Sequence, residues 1–134
     1  MNISDLLTGS KVIAVVGFSS DYSRPSNRVA RYLSGNGYEV YGINPNCSES
    51  SVEGIPVFPS LKTVNKKIDI VNVFRKSEYL PETVMEAVGL NPKPLVIWTQ
   101  IGVIDESAKI TALKSEIAYV ENKCIMTEHQ RLLL

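Results

Sequence analysis

KVIAVVGFSSDYSRPSNRVARYL, residues 11–33, joins three signals in order. Lys11 to Val16 is a short run rich in β-branched apolar residues, which suits a strand buried on both faces. Gly17 ends it at a turn. Pro25 is favoured in a first helical turn, and Val29, Ala30 and Leu33 then recur at helical spacing, with Asn36-Gly37 as the stop. A strand, a glycine turn and a helix in succession predict the opening βα unit of a parallel sheet.

The same alternation runs along the chain. Tyr38–Asn44 reads as a second strand. Residues 47–58 read as a polar loop with a short extended piece. Ser60 is placed to cap a short helix over Leu61–Val64. Ile68–Phe74 reads as a third strand, buried except at Asp69 and Asn72, and a helix follows over Pro81–Val88. Leu95–Trp98 is a fourth strand, Asp105 caps a helix to about Ser115, and Ala118–Val120 is a fifth strand. Thr127-Glu-His-Gln130 fits a capping box opening a last short helix into Leu132–Leu134. The expected fold is one domain over residues 1–134. It is a three-layer, Rossmann-like α/β fold, with an approximately five-stranded parallel sheet, helices on both faces and right-handed crossovers.

Composition narrows the function. The 134 residues carry 14 basic and 14 acidic side chains, which argues against nucleic-acid binding driven by net charge. No apolar run reaches membrane-spanning length, and MNISDLLTGSK lacks the apolar core of a secretory signal. The two cysteines, Cys47 and Cys124, have no metal-like spacing. The expectation is a cytoplasmic protein with neither nucleic-acid nor membrane partner and no bound metal.

In open parallel sheets ligands sit at the carboxyl ends of the strands. The first such end, Gly17 to Ser26, carries hydroxyls at Ser19, Ser20, Ser23 and Ser26, a helix N-terminus, and Arg24 and Arg28. These are parts for binding a phosphate. The glycine spacing of a dinucleotide fingerprint is absent, because positions 19 and 22 are Ser and Tyr, and no Walker loop follows. The second strand ends in Asn44-Pro45 rather than in the carboxylate that an NAD ribose prefers. The third leaves through Val73-Phe74-Arg75-Lys76 and the fourth through Gln100-Ile101-Gly102. His129, the one histidine, fits a structural or surface role, and Cys47 fits an incidental loop thiol.

These stretches, together with Pro56-Val-Phe-Pro-Ser-Leu61, Asp69 to Arg75, Trp98 to Gly102, and Cys124 with Glu128-His129, occur in an order that resembles the small stand-alone CoA-binding domain proteins. That family is related to the CoA-binding domain of the succinyl-CoA synthetase alpha subunit. The resemblance implies that Gly17, Phe18, Ser19 and Ser20, with Arg24, Pro25 and Ser26, cradle the phosphates of coenzyme A. It further implies that Asn44 and Pro45 line the adenine–ribose end. Val73, Phe74 and Arg75, with Gln100, Ile101 and Gly102, would border the pantetheine arm. Apart from the resemblance, Cys124 follows the last strand, and a CoA thiol that reached it would form a mixed disulfide under oxidation.

The function so implied is a non-catalytic binder of coenzyme A or acyl-CoA, acting as a carrier, sensor or accessory subunit. An accompanying homodimer or partner protein fits such a role. Two alternatives stay open in the sequence. One is an NAD(P)-dependent oxidoreductase domain. The other is a ligand-free interaction module that docks through Leu132–Leu134.

Overall fold

Apolar strands, most of them alternating with helices, form a doubly wound sheet. A computed structural model describes residues 1–133. Its elements are α1 (Ile3–Thr8), β1 (Val12–Val16), α2 (Pro25–Gly35), β2 (Glu39–Ile43), β3 (Ser51–Val52), β4 (Ile55–Phe58), a 3-10 turn (Leu61–Thr63), β5 (Ile70–Val73), a second 3-10 turn (Ser77–Tyr79), α3 (Leu80–Val88), β6 (Val96–Thr99), α4 (Glu106–Lys114), β7 (Ala118–Val120) and α5 (Ile125–Leu133). The sheet order is β3-β4-β2-β1-β5-β6-β7, parallel throughout except for the β3–β4 pair. From β1 the chain winds outward through β2, and from β5 it winds the other way through β6. The β1–β5 boundary is therefore the topological switch point.

Each face of the sheet has its own core. Leu80, Val84 and Ala87 of α3 and Ala108 and Ala112 of α4 pack on Ala14, Val71, Val73 and Ile97. Leu6 and Leu7 of α1, Val29, Ala30 and Leu33 of α2, and Ile125 of α5 pack on Ile13, Val15, Ile70 and Trp98. The alternation of side chains along each strand feeds both layers, which is why these strands are mostly apolar on both faces.

The sheet has seven strands where about five were expected. The extra pair lies in residues 47–58, where the sequence predicts a loop with one short extended piece; that piece is β4, and β3 is the strand beyond it. Glu53 and Gly54 take φ of 53° and 78°, the two positive values of a tight hairpin turn. This folds β3 back on β4, while β4 adds to β2. The N-terminal helix α1 was also not anticipated. The Asn2 carboxamide oxygen accepts the Asp5 N–H at 2.8 Å, and Leu6 and Leu7 are buried against the neighbouring helices. Asn72, read as outward-facing, is fully buried, with its amide donating to the Trp98 carbonyl at 3.2 Å.

The last helix starts at Ile125, two residues before the expected capping box. Cys124 precedes the helix, and its carbonyl accepts the Glu128 N–H at 3.0 Å. Of the apolar tail Leu132–Leu134, Leu134 lies outside the described residues.

His129 anchors α5. It is buried, its Nδ1 lies 2.6 Å from the Tyr32 hydroxyl, and its ring packs edge-on to Tyr32 and Tyr38. Burial holds its pKa below the ordinary 6.5. The unfolded chain thus takes up this proton more readily than the folded one. The stabilising contribution is complete above the unfolded value and is lost as pH falls through the folded one. The melting temperature is expected to drop between about pH 7.5 and about pH 5.5, and His129→Gln should flatten that drop. Melting curves across this range would check it, and an unchanged slope in the variant would contradict it.

Candidate functional site

The loops following β1 and β5 meet at the switch point. Gly17 allows this because its φ is +85°, and a Cβ there would lie 3.2 Å from the Phe74 carbonyl carbon and from Arg75 Cγ. Only a residue without a side chain fits the bend and the close approach.

Two cavities open on either side of Gly17. The smaller, about 190 Å³, is lined by Gly17, Ser19, Arg24, Pro25, Ser26 and Phe74. All six are among the residues singled out from the sequence. The N-terminus of α2 opens here, and Arg24 is exposed at its mouth with no side-chain capping bond. The larger, about 500 Å³, is lined by Val16, Gly17, Ile43, Asn44, Pro45, Asn46, Pro59 and Arg75, with Glu82, Thr83 and Glu86 from α3.

The loop is rigid by hydrogen bonding. The Gly17 and Phe18 amides donate to the Ile43 carbonyl, the Ser19 amide to Ser26 Oγ, and the Asp21 amide to Ser19 Oγ. Asp21 in turn accepts from the Ser23 amide and hydroxyl. Asn27, which sequence reasoning missed, is fully buried and donates to the Ser19 carbonyl at 2.9 Å while accepting from Arg31 Nε at 2.7 Å. A polar residue on the buried stripe of α2 was the signal for it. Ser20 and Tyr22 are the amides of residues 17–24 without such a bond among the described residues. An anion in the smaller cavity therefore meets the helix N-terminus, serine hydroxyls and Arg24 more than a bare amide nest.

The other predicted residues divide. Phe18 turns its ring into the core and is fully buried, so only its backbone faces the site. Val73 is likewise core. Ser20 is exposed and lines neither of these two cavities. Asn44 and Pro45 do line the larger cavity, but the Asn44 side chain is engaged within the fold. Its amide donates to the Phe18 carbonyl at 2.8 Å, and its oxygen accepts the Asn46 N–H.

Arg75 is committed as well. It pairs with Glu82 at 2.8 Å, donates to Thr83 Oγ1 and stacks over Tyr79. Gln100, Ile101 and Gly102 line neither cavity. Gly102 has φ of +87° with open space around it, so the turn rather than a close contact demands glycine. Ile101 is exposed, and the Gln100 side chain, whose Oε1 is buried without a hydrogen-bond partner among the described residues, is one of the groups acting on the Cys124 thiol. Burial pushes that thiol's pKa up, but hydrogen bonds from Thr127, Gln100 and Met126 outweigh it and leave the pKa below its ordinary value. The α3 carboxylates Glu82 and Glu86 lie in a helix, away from the strand ends where ligands of such sheets are expected. Their spacing of four residues, which puts both on one helix face, was the available signal.

Among the described residues no group of three or more His, Cys, Asp or Glu is placed to hold a metal ion. No described helix is long and apolar enough to cross a membrane.

Comparison with known proteins agrees on one family. The family described as CoA binding domain matches residues 11–130. The Bacillus subtilis (strain 168) protein YneT is 36% identical over 127 residues, covering 95% of this chain and 91% of that protein. A solved Thermus thermophilus structure, cell-free ID.343, is 32% identical with a TM-score of 0.91, covering 98% of this chain and 99% of that one. A hypothetical protein from Pyrococcus horikoshii OT3 is 34% identical with a TM-score of 0.90, covering 100% of this chain and 94% of that one.

Proposed function

The chain belongs to the CoA-binding domain family, and from that premise we propose that it binds coenzyme A or an acyl-CoA as a non-catalytic module. The observation that carries this reading is the smaller cavity at the switch point. It joins Arg24, the α2 N-terminus and two serines beside a Gly17 that admits close approach. A diphosphate suits that lining. The adenosine then rests against Pro45 in the larger cavity. The pantetheine arm crosses Phe74 toward Gln100, Ile101 and Gly102, with its thiol end toward Cys124.

The non-catalytic part is supported by how the reactive side chains are employed. His129 is packed on two tyrosines, Arg75 is ion-paired, and Asp105 caps α4 by accepting the Ala108 N–H at 2.9 Å. A carrier, sensor or accessory role, alone or with a second subunit, follows from binding without turnover.

Calorimetric titration with CoA, acetyl-CoA and NADH tests the reading. Saturable heat with CoA or acetyl-CoA, and none with NADH, is expected. Absence of heat and of any thermal shift at millimolar CoA would overturn it.

A further inference from the structure

The two cavities beside Gly17 differ in charge. The smaller has Arg24 and no carboxylate in its lining. The larger has two carboxylates, Glu82 and Glu86, and one guanidinium, Arg75. Arg75 neutralises Glu82 through their ion pair. Glu86 is half-buried, and one of its oxygens accepts the Leu61 N–H at 3.1 Å. No salt bridge among the described residues offsets it. The larger cavity therefore carries one uncompensated negative charge.

Its neutral lining points the same way. Asn44 has its amide and oxygen engaged. Pro45, Pro59 and Ile43 supply apolar walls. A guest meets flat apolar surface, the Arg75–Glu82 pair and, in Glu86, a carboxylate that only accepts hydrogen bonds. An amino group or a bare ribose hydroxyl can donate to it. A ribose phosphate, close to a dianion at neutral pH, is repelled.

We infer that Glu86 makes the larger cavity selective for an adenosine whose ribose 3′-hydroxyl is free, so that the preferred pantetheine ligand is dephospho-CoA rather than CoA. The inference rests on the reading above, in which the diphosphate lies by Arg24 and the adenosine against Pro45. Glu86, not Glu82, sets the preference, because Glu82 is paired and largely exposed.

Titrations of the wild type and Glu86→Gln with CoA and dephospho-CoA, at low and at high salt, decide it. Glutamine keeps an oxygen to accept the Leu61 N–H, and a thermal melt verifies the fold. In the wild type at low salt dephospho-CoA is expected to bind about tenfold tighter than CoA, a gap that salt narrows. Glu86→Gln should close the gap from both sides, tightening CoA by removing the repulsion and weakening dephospho-CoA by replacing a charged acceptor with a neutral one. The salt series needs no variant, so it reads the repulsion even if Glu86→Gln folds poorly. CoA binding as tightly as dephospho-CoA, or a gap that neither salt nor Glu86→Gln alters, overturns the inference while leaving the coenzyme reading intact. No binding of either ligand overturns the coenzyme reading itself, and this inference with it.

Discussion

Gly42→Ala is expected to destabilise the protein by about 3 kcal/mol, a large share of the stability of a domain this size. Gly42 sits inside β2, paired with Val15 of β1. A Cβ there would lie 2.4 Å from Phe18 Cδ2 and 2.6 Å from Cγ, inside any tolerable contact. The Phe18 ring is fully buried and flanked by the core around Val15 and Val29. It cannot retreat without moving the loop that carries it. The site loop and the core are thus joined at one aromatic ring resting on a bare strand position. Urea unfolding of Gly42→Ala, Phe18→Leu and the double variant measures this. The double variant should lose at least about 1 kcal/mol less than the sum of the two single losses, since the smaller side chain makes room for the new methyl. Strict additivity would show that the two residues do not compete for the same space.

Arg24→Ala is expected to act on the ligand and hardly on the fold. Arg24 is exposed and makes no capping bond, so its loss should change stability by no more than about 0.5 kcal/mol. It is the cation of the smaller cavity. Losing a charge-assisted bond to a diphosphate should weaken CoA binding about tenfold to a hundredfold. Pantetheine, which lacks the diphosphate, should bind the wild type and the variant alike. Calorimetry with both ligands and a thermal melt suffice. Unchanged CoA affinity would remove the diphosphate from this loop.

How much of this was legible in the sequence depends on the range of the interaction. The run from Lys11 to Val16, the glycine and Pro25 locate β1, the turn and α2 without help from the rest of the chain. The βα alternation then implies the parallel sheet and its switch point. Hence all six lining residues of the smaller cavity were among those named from sequence. The Glu53-Gly54 hairpin and α1 were missed because their segments are too short to show a period. They persist through what they pack against, β2 for one and the neighbouring helices for the other.

The sequence by itself determined the order of strands and helices, the fold class and the place of the glycine turn between β1 and α2. Each rests on local periodicity, backbone preference or capping, properties of a few consecutive residues. Only the tertiary structure decided that Phe18 belongs to the core, because Gly42, twenty-four positions away, leaves the gap its ring fills. Likewise, only the fold brings Glu86 of α3 beside Asn44 and Pro45 in one cavity while Arg24 lines the other. Charge and shape at a site are sums over segments distant in sequence, and no local pattern records which segments meet.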